Sequence, residues 1–200
     1  MKKQFILAGI LACCGMAASA STYTLTGDVD GRVRNVDAAA FTDASVNEVY
    51  LGTSGFRTNT ILEFDLSFLA VGETIDSITI SMTGIASTNT LFVNGYAGNG
   101  VLETSDALQS ANSLGLFAVS AGSNGPFSLS TGFVDSLLLA NEDYLGLNIG
   151  ITSAQSFGSA SDFSVTFETS ISAVPLPAAG LLLMGALGGL GLMRRKRKTT

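Results

Sequence analysis

Between residues 21 and 173 the chain is written as short apolar alternations, each soon broken by Gly, Asn, Asp, Ser or Thr. A period of two puts alternate side chains on one face of a strand, and stretches of this length leave no room for long amphipathic helices. Tyr23–Gly27, Arg32–Val36 and Asn47–Gly52 read as the first strands. Thr60–Leu66 places Leu62, Phe64 and Leu66 on one face, and Ile75–Met82 places Ile78, Ile80 and Met82. Thr90–Ala97 carries Phe92 and Tyr96, and Tyr144–Ile151 aligns Leu145, Leu147 and Ile149. Phe163–Ile171 aligns Phe163, Val165, Phe167 and Ile171. Asp30-Gly31, Gly52-Thr53-Ser54-Gly55, Val71-Gly72-Glu73 and Gly98-Asn99-Gly100 are turn signals. Asn94-Gly95 lies inside an apolar run and reads as a turn or a bulge. Two helical patches interrupt the strands, Ser105–Ser113 and Phe133–Ala140. Ser130 or Thr131 is placed to cap the second, and Asn141 suits its left-handed exit. Eight or nine strands with no βαβ rhythm predict an all-β fold, an antiparallel β-sandwich or jelly roll with one or two short helices.

What the region lacks narrows its chemistry. The chain has no histidine, which removes Ser-His-Asp catalysis and histidine metal sites. Both cysteines, Cys13 and Cys14, precede residue 21, so the domain has neither thiol chemistry nor disulfides and must be held by packing. It contains no Lys, hence no phosphate loop of the Gly-Lys type. Its three basic residues, Arg32, Arg34 and Arg57, stand against 16 acidic ones, a net charge of −13. Such a surface repels phosphates, so nucleic acid is not an expected partner. The acidity reads as solubility outside the cell, or as a means of binding cations or excluding anionic partners.

The two ends are of a different kind. Met1–Ala20 has Lys2 and Lys3, an apolar core over Phe5–Ala12 and a small-x-small site at Ala18-Ser19-Ala20, the pattern of a secretory signal peptide cut after Ala20. Ile10-Leu11-Ala12-Cys13 also loosely resembles a lipobox, the alternative start. At the other end Val174, Pro175, Leu176, Pro177 and Ala178 precede an apolar run to Met193, followed by Arg194, Arg195, Lys196, Arg197 and Lys198. Val174–Met193 is 20 residues, enough for a helix to cross a ~30 Å hydrocarbon core, with the basic cluster retained on the cytoplasmic side. A plain single-pass anchor fits these features. The order of the three parts further resembles the PEP-CTERM sorting signal in its VPLPA variant. That resemblance implies recognition by an exosortase at the inner membrane, removal of the tail, and release to the cell surface or extracellular matrix. The expected domains are 1–20, signal peptide; 21–173, extracytoplasmic β-sandwich; and 174–198, sorting signal with its transmembrane helix.

A second resemblance covers about Gly27–Phe167. Asp30-Gly31-Arg32-Val33-Arg34, then Val49-Tyr50-Leu51-Gly52, Ile61-Leu62-Glu63-Phe64-Asp65-Leu66-Ser67 and Val71–Ile80 follow the order of the DNRLRE domain. Phe127–Thr131 and Tyr144–Ile149 are similar to its later segments. The resemblance implies an extracellular jelly-roll module related to carbohydrate-binding modules. Asn59 and Glu63 stand where that family usually has basic residues, and its tryptophans are missing.

Candidate site residues are few. Asp28 and Asp30 flank a Gly turn at a spacing suited to Ca²⁺, with Glu168 or Asp162 to complete the shell, or they form an ordinary Asx-Gly turn. A structural calcium is the one cofactor this suggests. Glu63, Asp65 and Asp143 are the carboxylates available for glycosidase-like chemistry, but nothing pairs them, and solvated surface groups are the simpler reading. Tyr23, Tyr50, Tyr96 and Tyr144 are the sugar platforms on offer, or core and cross-strand residues. The expectation is a non-catalytic, exported surface or matrix protein associated with exopolysaccharide; the alternative is a polysaccharide-binding module.

Overall fold

The computed structural model describes residues 20–36, 39–44, 48–51, 56–70, 72–85, 88–152, 156–158 and 161–171. The sorting motif, the basic tail, Ala18 and the rest of both ends lie outside them, as does the proposed transmembrane helix. Among the described residues no helix is long and apolar enough to cross a membrane.

Among the described residues twelve strands form in chain order: β1 (Ala20–Leu25), β2 (Val29–Arg34), β3 (Phe41–Asp43), β4 (Val49–Leu51), β5 (Arg57–Asp65) and β6 (Glu73–Ile85). They continue as β7 (Asn89–Gly98), β8 (Asn112–Val119), β9 (Gly122–Leu129), β10 (Tyr144–Ile151), β11 (Ser156–Gly158) and β12 (Ser161–Ile171). All pairings are antiparallel. One sheet runs β1-β12-β6-β9; the other runs β11-β4-β5-β10-β7-β8, with β2 paired to both β3 and β5. The all-β antiparallel sandwich expected from the alternation is therefore the fold. It occupies Ser19–Ile171 as one compact unit.

The core lies where the two sheets face each other. Leu62 and Phe64 of β5, Leu91 and Val93 of β7, and Leu145, Leu147 and Ile149 of β10 meet Ile78, Ile80 and Met82 of β6 and Phe163, Val165 and Phe167 of β12. Phe64 and Phe167 cross the gap edge-to-face at 5.7 Å, and Phe68 adds a second ring contact to Phe167 at 5.2 Å. Aromatic pairs in such geometry contribute about 0.5–1.5 kcal/mol beyond the area they bury.

Several local expectations change for identifiable reasons. Leu66 leaves the strand for a 3₁₀ turn, Leu66–Phe68, because the Asp65 carboxylate accepts the Ser67 amide at 2.8 Å and closes the turn. Ile171 is 37 % exposed, not in the core: it is the last residue of β12, and the inward face that carries Phe163, Val165 and Phe167 ends one step earlier, on the buried Thr169. The patch over Ser105–Ser113 is a short 3₁₀ helix, Thr104–Leu108, followed directly by β8. Helix α1 (Gly132–Ala140) forms as expected and ends on Asn141 at φ 57°, but the Thr131 side chain makes no capping bond. Asn94-Gly95 is neither a turn nor a bulge: both residues lie in regular register within β7 against Asn148 and Leu147 of β10, and the β7–β8 shift between Val93 and Asn94 leaves the extra residue, Leu114, on β8. Strands β3, β8, β9 and β11 were not marked as strands by alternation.

Candidate functional site

The central strands of the eight-stranded sheet, β5 and β10, are buried on both faces, which their alternation did not suggest. Along β10, Gly146, Asn148 and Gly150 alternate with the core residues, and they too are buried. The loop after β7 and its 3₁₀ helix lie across this outer face. Two asparagines fasten them: Asn59 Nδ2 donates to Asn148 Oδ1 at 2.7 Å, and Asn148 Nδ2 donates to the Ala107 and Gln109 carbonyls, each at 2.9 Å. Val33, Ile61, Tyr96 and Ala107 form a small second core beneath this cover.

At the centre of the outer face sits Glu63, fully buried. This overturns its reading as a solvated surface carboxylate. Tyr96 Oη donates to Glu63 Oε1 at 2.8 Å; the Gly100 and Asn99 amides donate to Oε2 at 2.7 and 3.2 Å. Three donors satisfy the charge that burial would otherwise make costly. The approach is close enough to require glycine. A Cβ on Gly146 would sit 2.2 Å from the Tyr96 ring, and one on Gly98 would sit 2.8 Å from Glu63 Cδ. Asp106 is nearby and buried, with Oδ2 accepting the Glu103 amide at 2.6 Å. Burial pushes its carboxyl up to about 6; the Glu103 amide opposes this, while the charges of Glu63 and Glu103 add to it. Burial, then the charges of Asp106 and Glu63, raise the Tyr96 phenol, which stays protonated and donating. These groups hold the loop after β7 against the outer face of the sheet.

Asp28 and Asp30 are both exposed. Asp28 Oδ2 accepts the Asp65 amide at 2.8 Å, tying the β1–β2 turn to the end of β5. Glu168, the suggested third ligand, instead accepts the Ser77 hydroxyl at 2.8 Å. Among the described residues no three His, Cys, Asp or Glu side chains come together as a metal site. The Asp162 side chain lies outside the described set. Of the tyrosines, Tyr96 is buried in the Glu63 network, Tyr23 packs on Phe68 at 4.7 Å, and Tyr144 covers Gly100. Tyr50 alone among the four lines a hollow with charged residues.

That hollow, about 260 Å³, is lined by Arg34, Glu48, Tyr50, Phe56 and Thr58 at one end of the sandwich. Register builds it: Phe41 lies opposite Arg34, Arg34 opposite Thr58, and Thr58 opposite Tyr50, a transverse row over β3, β2, β5 and β4. Thr58 and Thr60 continue the inward face of β5 beyond Leu62 and Phe64, so the core turns polar here. The Arg34 guanidinium lies 5.4 Å from the Phe41 ring centre and 5.8 Å from that of Phe56, within cation–π range. Arg32 forms ion pairs with both Asp43 and Glu48. Among the described residues Arg34 has no carboxylate partner, and its Nε and the Thr58 Oγ1 are buried without a hydrogen-bond partner. The sequence held a signal for this place: all three basic residues of the domain fall on β2 and β5.

A larger depression, about 560 Å³, lies between the Leu66–Phe68 turn and the end of α1. Of its acidic lining, Glu73, Glu142 and Asp143, the first is already engaged: Glu73 accepts the Ala70 amide at 2.8 Å and the Thr169 hydroxyl. No protein-family model matches this sequence, and no curated protein matches it.

Proposed function

We propose that the chain is an exported, non-catalytic surface or matrix protein whose tail is removed by an exosortase, and which associates with exopolysaccharide. The observation that carries this reading is the ordered tail, Val174–Ala178, apolar run and Arg194–Lys198, behind a β-sandwich and a signal-peptide-like start. The fold supports it geometrically. Ala20, the residue before the expected first cut, pairs with Ser170 near the end of β12, so the domain begins and ends side by side. Only Ser172 and Ala173 separate β12 from Val174. The strand order favours a jelly roll. Leaving aside β2, β3, β4 and β11 and counting the other eight strands (β1, β5, β6, β7, β8, β9, β10 and β12) as 1 to 8 gives sheets 1-8-3-6 and 2-7-4-5. The pairs 1–8, 2–7, 3–6 and 4–5 are then all neighbours, as in a long hairpin rolled on itself.

Cell fractionation of the native host tests this function. The tail-free protein is expected outside the inner membrane. Full-length protein accumulating in the inner membrane of growing cells would leave a plain anchored sandwich.

The alternative, a polysaccharide-binding module, is favoured by one feature, the hollow at Arg34 with Tyr50 and Phe56 on its walls. No separate role for calcium is needed in either reading.

A further inference from the structure

We infer that the hollow at Arg34 binds a carboxylated sugar unit, its carboxylate on the Arg34 guanidinium and one ring face against Tyr50 and Phe56. The inference rests on the polysaccharide-binding reading and names the class of sugar.

Charge is the first reason. The domain carries 16 acidic residues and three basic ones. In such a field an arginine has many partners available, and Arg32 takes two, Asp43 and Glu48. Arg34, two residues on along the same strand, takes none among the described residues and lies over the faces of Phe41 and Phe56 instead. Stacking on ring faces leaves the planar edge of a guanidinium available, the edge that matches a carboxylate in bidentate fashion. Hydrogen bonding is the second reason. Thr58 is 1 % exposed, lines the hollow, and has no partner for its hydroxyl. The buried Arg34 Nε is likewise without one. A buried polar atom left unpaired is unfavourable, and a polar guest would relieve both.

Shape is the third. About 260 Å³ equals roughly nine waters at ~30 Å³ each, room for a sugar ring and not for a folded peptide. The Tyr50 and Phe56 rings stand edge-to-face at 6.1 Å, giving an apolar wall for C–H groups. Glu48 points the other way in charge, but one of its oxygens already serves Arg32. The net −13 of the domain weakens long-range attraction; at physiological salt that field is screened beyond ~8 Å, so contact chemistry decides.

The test is calorimetric titration of the full chain in detergent micelles with trigalacturonate, its methyl ester, and a short acidic peptide. Trigalacturonate is expected to bind, more weakly as salt is raised. The ester, with the same rings and no charge, is expected to bind at least tenfold more weakly, and the peptide not at all. Arg34→Gln should lower trigalacturonate affinity at least tenfold, and Thr58→Val severalfold, with melting temperatures recorded beside each. If Arg34→Gln fails to fold, Thr58→Val and the ester comparison decide alone. Equal binding of acid and ester would overturn the carboxylate inference and leave the polysaccharide reading standing. Absence of binding to both would overturn the two together, and preference for the peptide would overturn the sugar assignment.

Discussion

Tyr96→Phe isolates one hydrogen bond of the Glu63 network. The ring keeps its packing over Gly146 and beside Val33, Ile61 and Ala107; only the hydroxyl that donates to Glu63 Oε1 at 2.8 Å is removed. A hydrogen bond to a charged group contributes about 1.5–3 kcal/mol net, and Glu63 is fully buried, so water cannot replace the donor without opening the loop. The expected loss is about 2 kcal/mol. At ~2–4 °C per kcal/mol for a domain of this size, the melting temperature should fall by about 4–8 °C. Urea unfolding followed by far-ultraviolet circular dichroism measures it, with a lower midpoint and an unchanged slope. Glu63→Gln should cost about as much, because its amide would turn N–H donors toward the Gly100 and Asn99 donors or toward Tyr96. The double variant should then fall short of additivity by about 1 kcal/mol. A loss below about 0.5 kcal/mol for Tyr96→Phe, or strict additivity, would refute a network centred on Glu63.

Four further outcomes follow from the same structure. Asp106 binds its proton more tightly when folded, its pKa being about 6 against an ordinary 3.8, so its contribution to stability is present below pH 4 and is lost as pH rises through 6. At ~1.4 kcal/mol per unit the loss is at most about 3 kcal/mol, and Asp106→Asn should flatten denaturation free energy between pH 4 and 6. Asp65 and Glu73 act in the opposite sense: the Ser67 amide and hydroxyl lower Asp65, the Thr169 hydroxyl and Ala70 amide lower Glu73, and their contribution disappears as pH falls below about 4. Phe167→Ala removes the ring that bridges the sheets to Phe64 and Phe68 and should destabilise by about 3–5 kcal/mol in chemical denaturation. Asp28→Ala should cost about 1 kcal/mol through the lost bond to the Asp65 amide, equally with millimolar calcium or chelator; a calcium-dependent melting point abolished by this change would favour the metal reading instead.

The inner faces of the long strands were legible because a period of two leaves an unmistakable mark: Leu62 and Phe64, Ile78 to Met82, and Phe163 to Phe167 are core residues as read. The outer face of the larger sheet was not. Its cover is a loop, and a loop has no period; the only marks are small residues where bulk approaches, Gly146 under Tyr96 and Gly98 beside Glu63. Glu63 looked solvated because the donors that permit its burial, the Asn99 and Gly100 amides, are backbone groups and carry no sequence signature. Strands β8 and β9 escaped notice because each lies at the edge of its sheet, where one half-solvated face relaxes the apolar pattern. The hollow at Arg34 was half legible: three arginines stood out against the acidity, while the row from Phe41 to Tyr50 exists only through the register of four strands.

The account turns on what happens to the two ends of the chain, and the intact mass of the protein recovered from its native host reads both at once. A species that begins at Ser21 and ends at the Val174–Ala178 motif is the expected result. A species retaining Arg194–Lys198 would contradict it, and the sandwich would then be a membrane-anchored domain with no release step.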